Sequence, residues 1–394
     1  MSAALFCLFL SAVGGCAFFV FVGKLGENHP LRKDLKALNI DLRDYGFGER
    51  FAREAALYED LFAARVSEQH HDLYRVVASS GEIDARVSGR FAHTADDETC
   101  FPAVGDWVMI DRLDDRTGSA IIHHVLPRKS MLVRQSAGLR SSGQVISANI
   151  DTIFICMSLN EDFNVRRIER YLAIAWDSGA TPVIVLTKAD LCADLPYRLS
   201  ELNEVSIGVD VITCSAAAGT GFDEIESHIE PGKTIAFVGS SGVGKSTIIN
   251  RLMGRDVLDT QAVREDDGKG RHTTTHRQLL LLPQGGIVID TPGMRELQIH
   301  SANLTKAFED VEAIAAQCRF SDCSHRTEPG CAIRAAIADG TLSEERFASY
   351  NKLQREAVYA GLSSRQRENE KLTRMFGGKS AIKQFRKEIK TKKR

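Results

Sequence analysis

Between residues 61 and 128, five short, mostly apolar runs read as strands: Phe62–Val66, Leu73–Ala78, Ile83–Val87, Asp106–Ile110 and Ser119–Val125. The connections between them are rich in Gly, Asp and Ser, which are turn formers. Five short strands without an intervening helix predict a small barrel. The oligonucleotide-binding (OB) fold is the natural five-stranded choice, although an SH3-like barrel would give a similar pattern. Residues 37–58 read as a helical lead-in, and Ser136–Gln144, rich in Gly and Ser, as a mobile linker. From Ile150 the texture changes. Apolar runs Thr152–Met157, Pro182–Leu186, Val209–Thr213, Thr234–Val238 and Ile287–Asp290 alternate with helical stretches such as Arg166–Trp176 and Thr247–Met253. Buried strands alternating with helices predict a parallel α/β sheet. After about residue 300 only helical patterns remain.

The length of 394 residues supports two or three such units. A net charge of −2 points to no polyanion globally, yet Arg365–Arg394 holds 12 Lys/Arg against 3 Glu. That end reads as a basic arm. Nine cysteines, scattered except for a cluster at 318–331, argue against a disulfide framework and for a reducing compartment with one metal site. The run Ala3–Val22 is apolar, uncharged and long enough to cross a bilayer. It lacks the basic region of a secretory signal, and Lys24, Arg32, Lys33 and Lys36 follow it, which would keep the rest of the chain cytoplasmic even if it inserted. We read it as a non-essential extension; no Met follows until Met109, so a later start would need a non-AUG codon.

The chemistry lies at the ends of the predicted α/β strands. Gly239-Ser240-Ser241-Gly242-Val243-Gly244-Lys245-Ser246 follows the strand Thr234–Val238 and opens a helix at Thr247. Its glycines let backbone N–H groups approach phosphates; Lys245 can reach the β/γ oxygens and Ser246 can ligate magnesium. Asp290-Thr291-Pro292-Gly293 ends a strand, where Asp290 can hold magnesium through water and the Gly293 N–H can meet a γ-phosphate. Between them, Gly268–His276 reads as a switch loop, one of whose threonines would ligate magnesium when the γ-phosphate is present; the spacing does not decide which, and Thr274 is our choice. Thr187-Lys188-Ala189-Asp190 ends the strand Pro182–Leu186. Asp190 can accept both N1–H and N2–H₂ of guanine, a pair adenine lacks, and the stem of Lys188 can cover the base. Thr187 stands where Asn is usual, which predicts one weakened contact. Ser215-Ala216-Ala217 resembles the loop under the guanine ring. These are the motifs of a guanine-nucleotide switch in rotated order, with the base-reading elements before the P-loop and the γ-phosphate motif after it. Met294 replaces the Gln that orients water in Ras-like proteins, which predicts slow intrinsic turnover; His272 is the candidate replacement. Finally, Cys318, Cys323, His325 and Cys331 suit one closed tetrahedral, structural zinc site.

Rotated motifs, a barrel before them and a Cys-Cys-His-Cys cluster after them closely resemble the RsgA/YjeQ family of circularly permuted bacterial GTPases. The stretches that carry the resemblance include Phe101–Val108, Arg167–Leu172, Gly239–Thr247, Gly270–Thr275, Asp290–Gly293 and the cysteine cluster. The apolar N-terminus departs from the family pattern. The resemblance implies an OB domain, a permuted GTPase domain and a zinc domain. It also implies late binding to the small (30S) ribosomal subunit and its 16S rRNA, with GTPase activity stimulated by the subunit, and it favours His272 as the catalytic residue.

The expected organisation is an extension over 1–36, a barrel over 37–135, a permuted GTPase domain over 145–300, a zinc-binding helical domain over 301–362 and a basic tail over 363–394. Expected cofactors are one Zn²⁺ and Mg²⁺ with GTP, and the expected state away from the ribosome is a monomer in the cytoplasm. The competing reading is a membrane-tethered GTPase in transport or signalling, supported only by Ala3–Val22.

Overall fold

The computed structural model describes residues 40–70, 72–114, 116, 118–135, 143–258, 277–290, 304–361 and 366. The apolar run Ala3–Val22, the switch loop with His272 and Thr274, Gly293 and the basic tail beyond Gln366 lie outside the described residues. Among those described, no helix is long and apolar enough to cross a membrane.

The described residues open with helix α1 (Glu49–Ala55) and strands β1 (Phe62–His70), β2 (Leu73–Ala78) and β3 (Gly81–Val87). Helix α2 (Gly89–Thr94) precedes β4 (Trp107–Ile110) and β5 (Ala120–Val125). β1 pairs antiparallel with both β2 and β4, β2 with β3, β4 with β5, while β3 and β5 run parallel. The strand order 1-2-3-5-4-1 closes a five-stranded barrel of the OB type. Ala64, Val66, Val76, Ile83, Val108 and Ile122 fill its interior. All four residues of β4 are buried because the strand has two covered faces. Val108 and Ile110 point into the barrel; Trp107 and Met109 point out, where Phe51 of α1 covers them.

A hairpin, β6 (Met131–Gln135) and β7 (Gly143–Ala148), leads on. β7 starts inside the segment expected to be a linker: Gly143 and Gln144 are strand residues paired with Gln135 and Arg134.

Next come β8 (Thr152–Ser158), α3 (Val165–Ser178), β9 (Thr181–Thr187), α4 (Leu195–Leu202), β10 (Val211–Thr213), α5 (Phe222–Ser227), β11 (Thr234–Val238), α6 (Lys245–Leu252), β12 (Gln278–Leu281) and β13 (Ile287–Asp290). Sheet order is β10-β9-β8-β11-β13-β12. All neighbours are parallel except β12, which runs antiparallel to β13. Helices cover both faces, so the central strands are apolar throughout. After β13 the described residues form α7 (Glu309–Ala315), α8 (Ala332–Ala338) and α9 (Glu344–Gly361). Phe308, Val311, Ile333, Tyr350 and Leu353 from this end share one hydrophobic cluster with Ile168 and Leu172 of α3.

Barrel and sheet are joined by a buried cation. Arg65 on β1 donates to Gly105 O at 3.2 Å, to Thr234 Oγ1 at 2.8 Å and to Tyr45 O, and lies over the Trp107 ring. Burial pulls its guanidinium down to about 10, against the pull of Asp151 and Asp106. Thr234 opens β11, so the barrel is bonded to the strand that delivers the P-loop.

Candidate functional site

A parallel sheet places the carboxyl ends of its strands on one edge, and ligands bind where the winding direction reverses. Here β8, β9 and β10 run out one way from the centre and β11 and β13 the other, so the reversal falls between β8 and β11. Thr187–Asp190, Ser215–Ala217 and Gly239–Ser246 follow β9, β10 and β11 at this edge, and Asp290 ends β13.

The P-loop follows β11. Gly239, Gly242 and Gly244 have φ of 149°, 77° and 101°, conformations that side chains disfavour. At Gly239 an added Cβ would lie 2.4 Å from Cys156 O, so the loop also needs glycine for its approach to β8. Gly244 caps α6, and the amide groups of Lys245, Ser246 and Thr247 open that helix with its positive dipole end outward. Lys245 Nζ donates to Gly239 O at 2.9 Å and Ser240 O at 2.7 Å. Burial pulls its ammonium below the ordinary lysine value, opposed by Cys156 and Asp290. Asp290, 8% exposed at the end of β13, is pushed up by burial and drawn back by Lys245. A poorly solvated cation and carboxylate on one edge favour charged ligands able to complete both.

The base-reading candidates lie beside this loop because β9 neighbours β8. Thr187 is buried, and its hydroxyl donates to Val243 O of the P-loop at 2.5 Å. The expectation of a weakened contact therefore needs qualification: the hydroxyl ties the base-side strand to the phosphate loop. Lys188 adopts a left-handed conformation, φ 57°, that turns the chain sharply out of β9. Asp190 is exposed and accepts the hydroxyl of Ser215, which also accepts Ala218 N–H at 3.0 Å. Ser215 and Thr220 bridge to close the loop that carries Ala216 and Ala217. Arg167 of α3 was not foreseen as part of the site; it donates to Ser240 Oγ at 3.1 Å. Its position in the first turn after β8 was the available signal.

At the C-terminal end, Cys318, Cys323, His325 and Cys331 converge with all ligand atoms within 4.8 Å of one another. His325 Nδ1 stands 3.5 Å from both Cys318 Sγ and Cys331 Sγ. A tetrahedral ion with Zn–S about 2.3 Å and Zn–N about 2.0–2.1 Å separates sulfur from nitrogen by about 3.5 Å, so the donor set fits such a metal. Burial raises the Cys318 thiol, but the Ile333 and Ala332 N–H groups at the start of α8 outweigh it and leave the thiol below its ordinary value. Glu328 organises the intervening turn by accepting the N–H groups of Ser324, Arg326 and Thr327 at 2.9–3.0 Å. Phe347 of α9 packs edge-on against His325, with centroids 5.8 Å apart.

A P-loop on the central strand, base-reading elements on strands that precede it in the chain and an acidic strand end that follows it define a circularly permuted P-loop GTPase. Comparisons with known proteins agree. The family model described as RsgA GTPase matches residues 125–300. The small ribosomal subunit biogenesis GTPase RsgA 2 of Lactiplantibacillus plantarum is 53% identical over 349 residues, covering 89% of this chain and 98% of its own. The crystal structure of YjeQ from Thermotoga maritima matches with a TM-score of 0.57 and 28% identity, covering 77% of this chain and 100% of that one. YloQ, titled a circularly permuted GTPase, matches in fold with a TM-score of 0.54 at 23% identity, over 77% of this chain and 97% of its own. The chain belongs to the RsgA GTPase family and is a GTP-hydrolysing enzyme.

Proposed function

We propose that this GTPase acts in maturation of the small ribosomal subunit, binding the 30S particle through its rRNA and hydrolysing GTP to GDP faster when bound. The observation that carries the reading is near-complete coverage of a relative named for small ribosomal subunit biogenesis, together with the P-loop, Thr187–Asp190, Ser215–Ala217 and Asp290 on one sheet edge. Gly239–Thr247 cradle the phosphates, with Lys245 on the β/γ oxygens. Asp190 reads N1–H and N2–H₂ of guanine, Lys188 covers the ring, and Ser215–Ala216 lie beneath it. Ser246, Asp290 and Thr274 would hold magnesium, which would supply positive charge against the phosphates. The Gly293 N–H meets the γ-phosphate, and His272 orients the attacking water in place of the Gln that Met294 displaces.

The Cys318, Cys323, His325, Cys331 site holds one structural zinc, because four protein donors leave no open position for chemistry. RNA contacts fall to the barrel, the metal-bearing helices and the basic tail, and the protein works as a cytoplasmic monomer away from the ribosome. Contacts of Lys and Arg with phosphate make such binding weaken steeply with salt. The test is co-sedimentation of the purified protein with 30S subunits in a non-hydrolysable GTP analogue or GDP, across a salt titration. Salt-sensitive binding favoured by the analogue supports the reading; no co-sedimentation at low salt with the analogue refutes it.

A further inference from the structure

Helix α3 touches the phosphate loop at its first turn and the C-terminal helices along its flank. Asn164 caps the helix by accepting Arg167 N–H at 2.9 Å, and the Arg167 side chain reaches Ser240 Oγ at 3.1 Å. Two residues on, Glu169 is 1% exposed and accepts from Arg346 Nη1 of α9 at 2.5 Å. Arg346, 3% exposed, also grips Asp310 of α7 through Nε and Nη2, both at 2.6 Å. Arg170 forms a two-point pair with Glu356 of α9 at 2.7 and 2.5 Å. Glu169 and Arg346 are 177 residues apart in sequence. Buried pairs of this kind add little net stability, and their best-attested use is to fix how segments register. The residue after Arg346 is Phe347, the ring packed on the metal-site His325.

We propose that α3 is a rigid link transmitting nucleotide state from the phosphate loop to the metal-bearing helices. Arg167 is the positioning residue at the loop end, and Glu169 with Arg346 forms the grip at the other. This path is separate from the covalent one through residues 291–303, and it rests on the reading of Gly239–Ser246 as the phosphate cradle. The cradle must hold the γ-phosphate and GDP differently; Ser240 belongs to it, so a change there moves the Arg167 anchor. A packed helix shifts as a unit rather than bending, and the short ionic contacts at its flank carry that shift into α7 and α9. The coupling can be no larger than the difference in contacts that the two nucleotides make with the loop.

The test uses the full chain without ribosomes, measuring amide hydrogen exchange over 309–361 with GDP and with a non-hydrolysable GTP analogue, alongside nucleotide affinity and metal content. Wild-type protein is expected to show protection differing by about fivefold or more between the two nucleotides. Arg167→Ala should erase that difference while retaining full metal content, and Glu169→Gln should do the same. Arg53→Ala, on an 80%-exposed side chain of α1, should leave it intact. Nucleotide binding without any wild-type difference overturns the link alone, as does a full difference in Arg167→Ala; failure of wild type to bind GTP removes the cradle reading and the link together.

Discussion

Replacing Arg346 by methionine is predicted to cost about 3–5 kcal/mol of unfolding free energy. Its guanidinium joins Glu169 at 2.5 Å, Asp310 at 2.6 Å and Ala307 O at 3.1 Å. Two carboxylates surround it, so despite the opposing effect of burial the group is held above the ordinary arginine value, chiefly by Asp310. Methionine can fill much of the space but leaves Glu169 with one cation, Arg166 at 3.3 Å, whose side chain is 37% exposed and correspondingly screened. Asp310, with a side chain 28% exposed, keeps water and adds little to the cost. An uncompensated Glu169 therefore dominates the estimate. In urea, followed by tyrosine and tryptophan fluorescence and by exchange of the α7–α9 amides, the midpoint should fall by more than about 1 M. Adding Glu169→Gln removes the stranded charge, so the double variant should recover at least about 1 kcal/mol relative to Arg346→Met alone. A loss below about 1 kcal/mol, or no relief in the double variant, would refute the assignment of this cluster as a buried ionic joint.

The remaining predictions concern the two ligand sites and the core. Asp190→Asn replaces a charged acceptor by a group that cannot take both guanine donors; GTP affinity in a fluorescence titration should fall about a hundredfold or more, and unchanged affinity would remove Asp190 from base reading. Stripping the metal with a chelator should release the four ligands and abolish exchange protection over 318–331, while GTP affinity changes little; a chelated protein with protection intact would show that the cluster folds without an ion. Burial pushes the thiols of Cys156 and Cys214 up to about 12 and about 11. At pH 8 both thus stay protonated in the folded state, and iodoacetamide should modify half-buried Cys192 well before either, with Cys156 and Cys214 reacting only on unfolding. Rapid labelling of Cys156 in the native protein would contradict its placement beneath the P-loop.

Much of this architecture is legible in sequence because burial there follows simple periods. Leu73–Val76 alternates half-buried and buried positions along the barrel, and Thr234–Val238 is buried throughout because helices cover both faces. The Cys318, Cys323, His325, Cys331 cluster, which could hold a metal ion, announces itself by residue type and spacing. Other features depend on tertiary context. The β6–β7 hairpin escapes notice because Gly143 and Gln144 have turn-like composition, yet strand pairing recruits them. β12 has four residues, too few for any period to register, although it pairs with β13 on one side and β1 on the other. Arg65, Glu169 and Arg346 look like surface charges in one dimension, and only the meeting of distant segments buries them. Likewise, Thr187 reads as a defective Asn until its hydroxyl is found on Val243 O.

The most direct test of the account is GTP turnover by the purified protein with and without 30S subunits, compared between wild type and His272→Ala. The account predicts slow turnover alone, strong stimulation by subunits, and loss of most of that stimulation in the variant with GTP affinity preserved. Turnover that is indifferent to subunits would contradict the ribosomal role, and undiminished stimulation in the variant would remove His272 from the reaction.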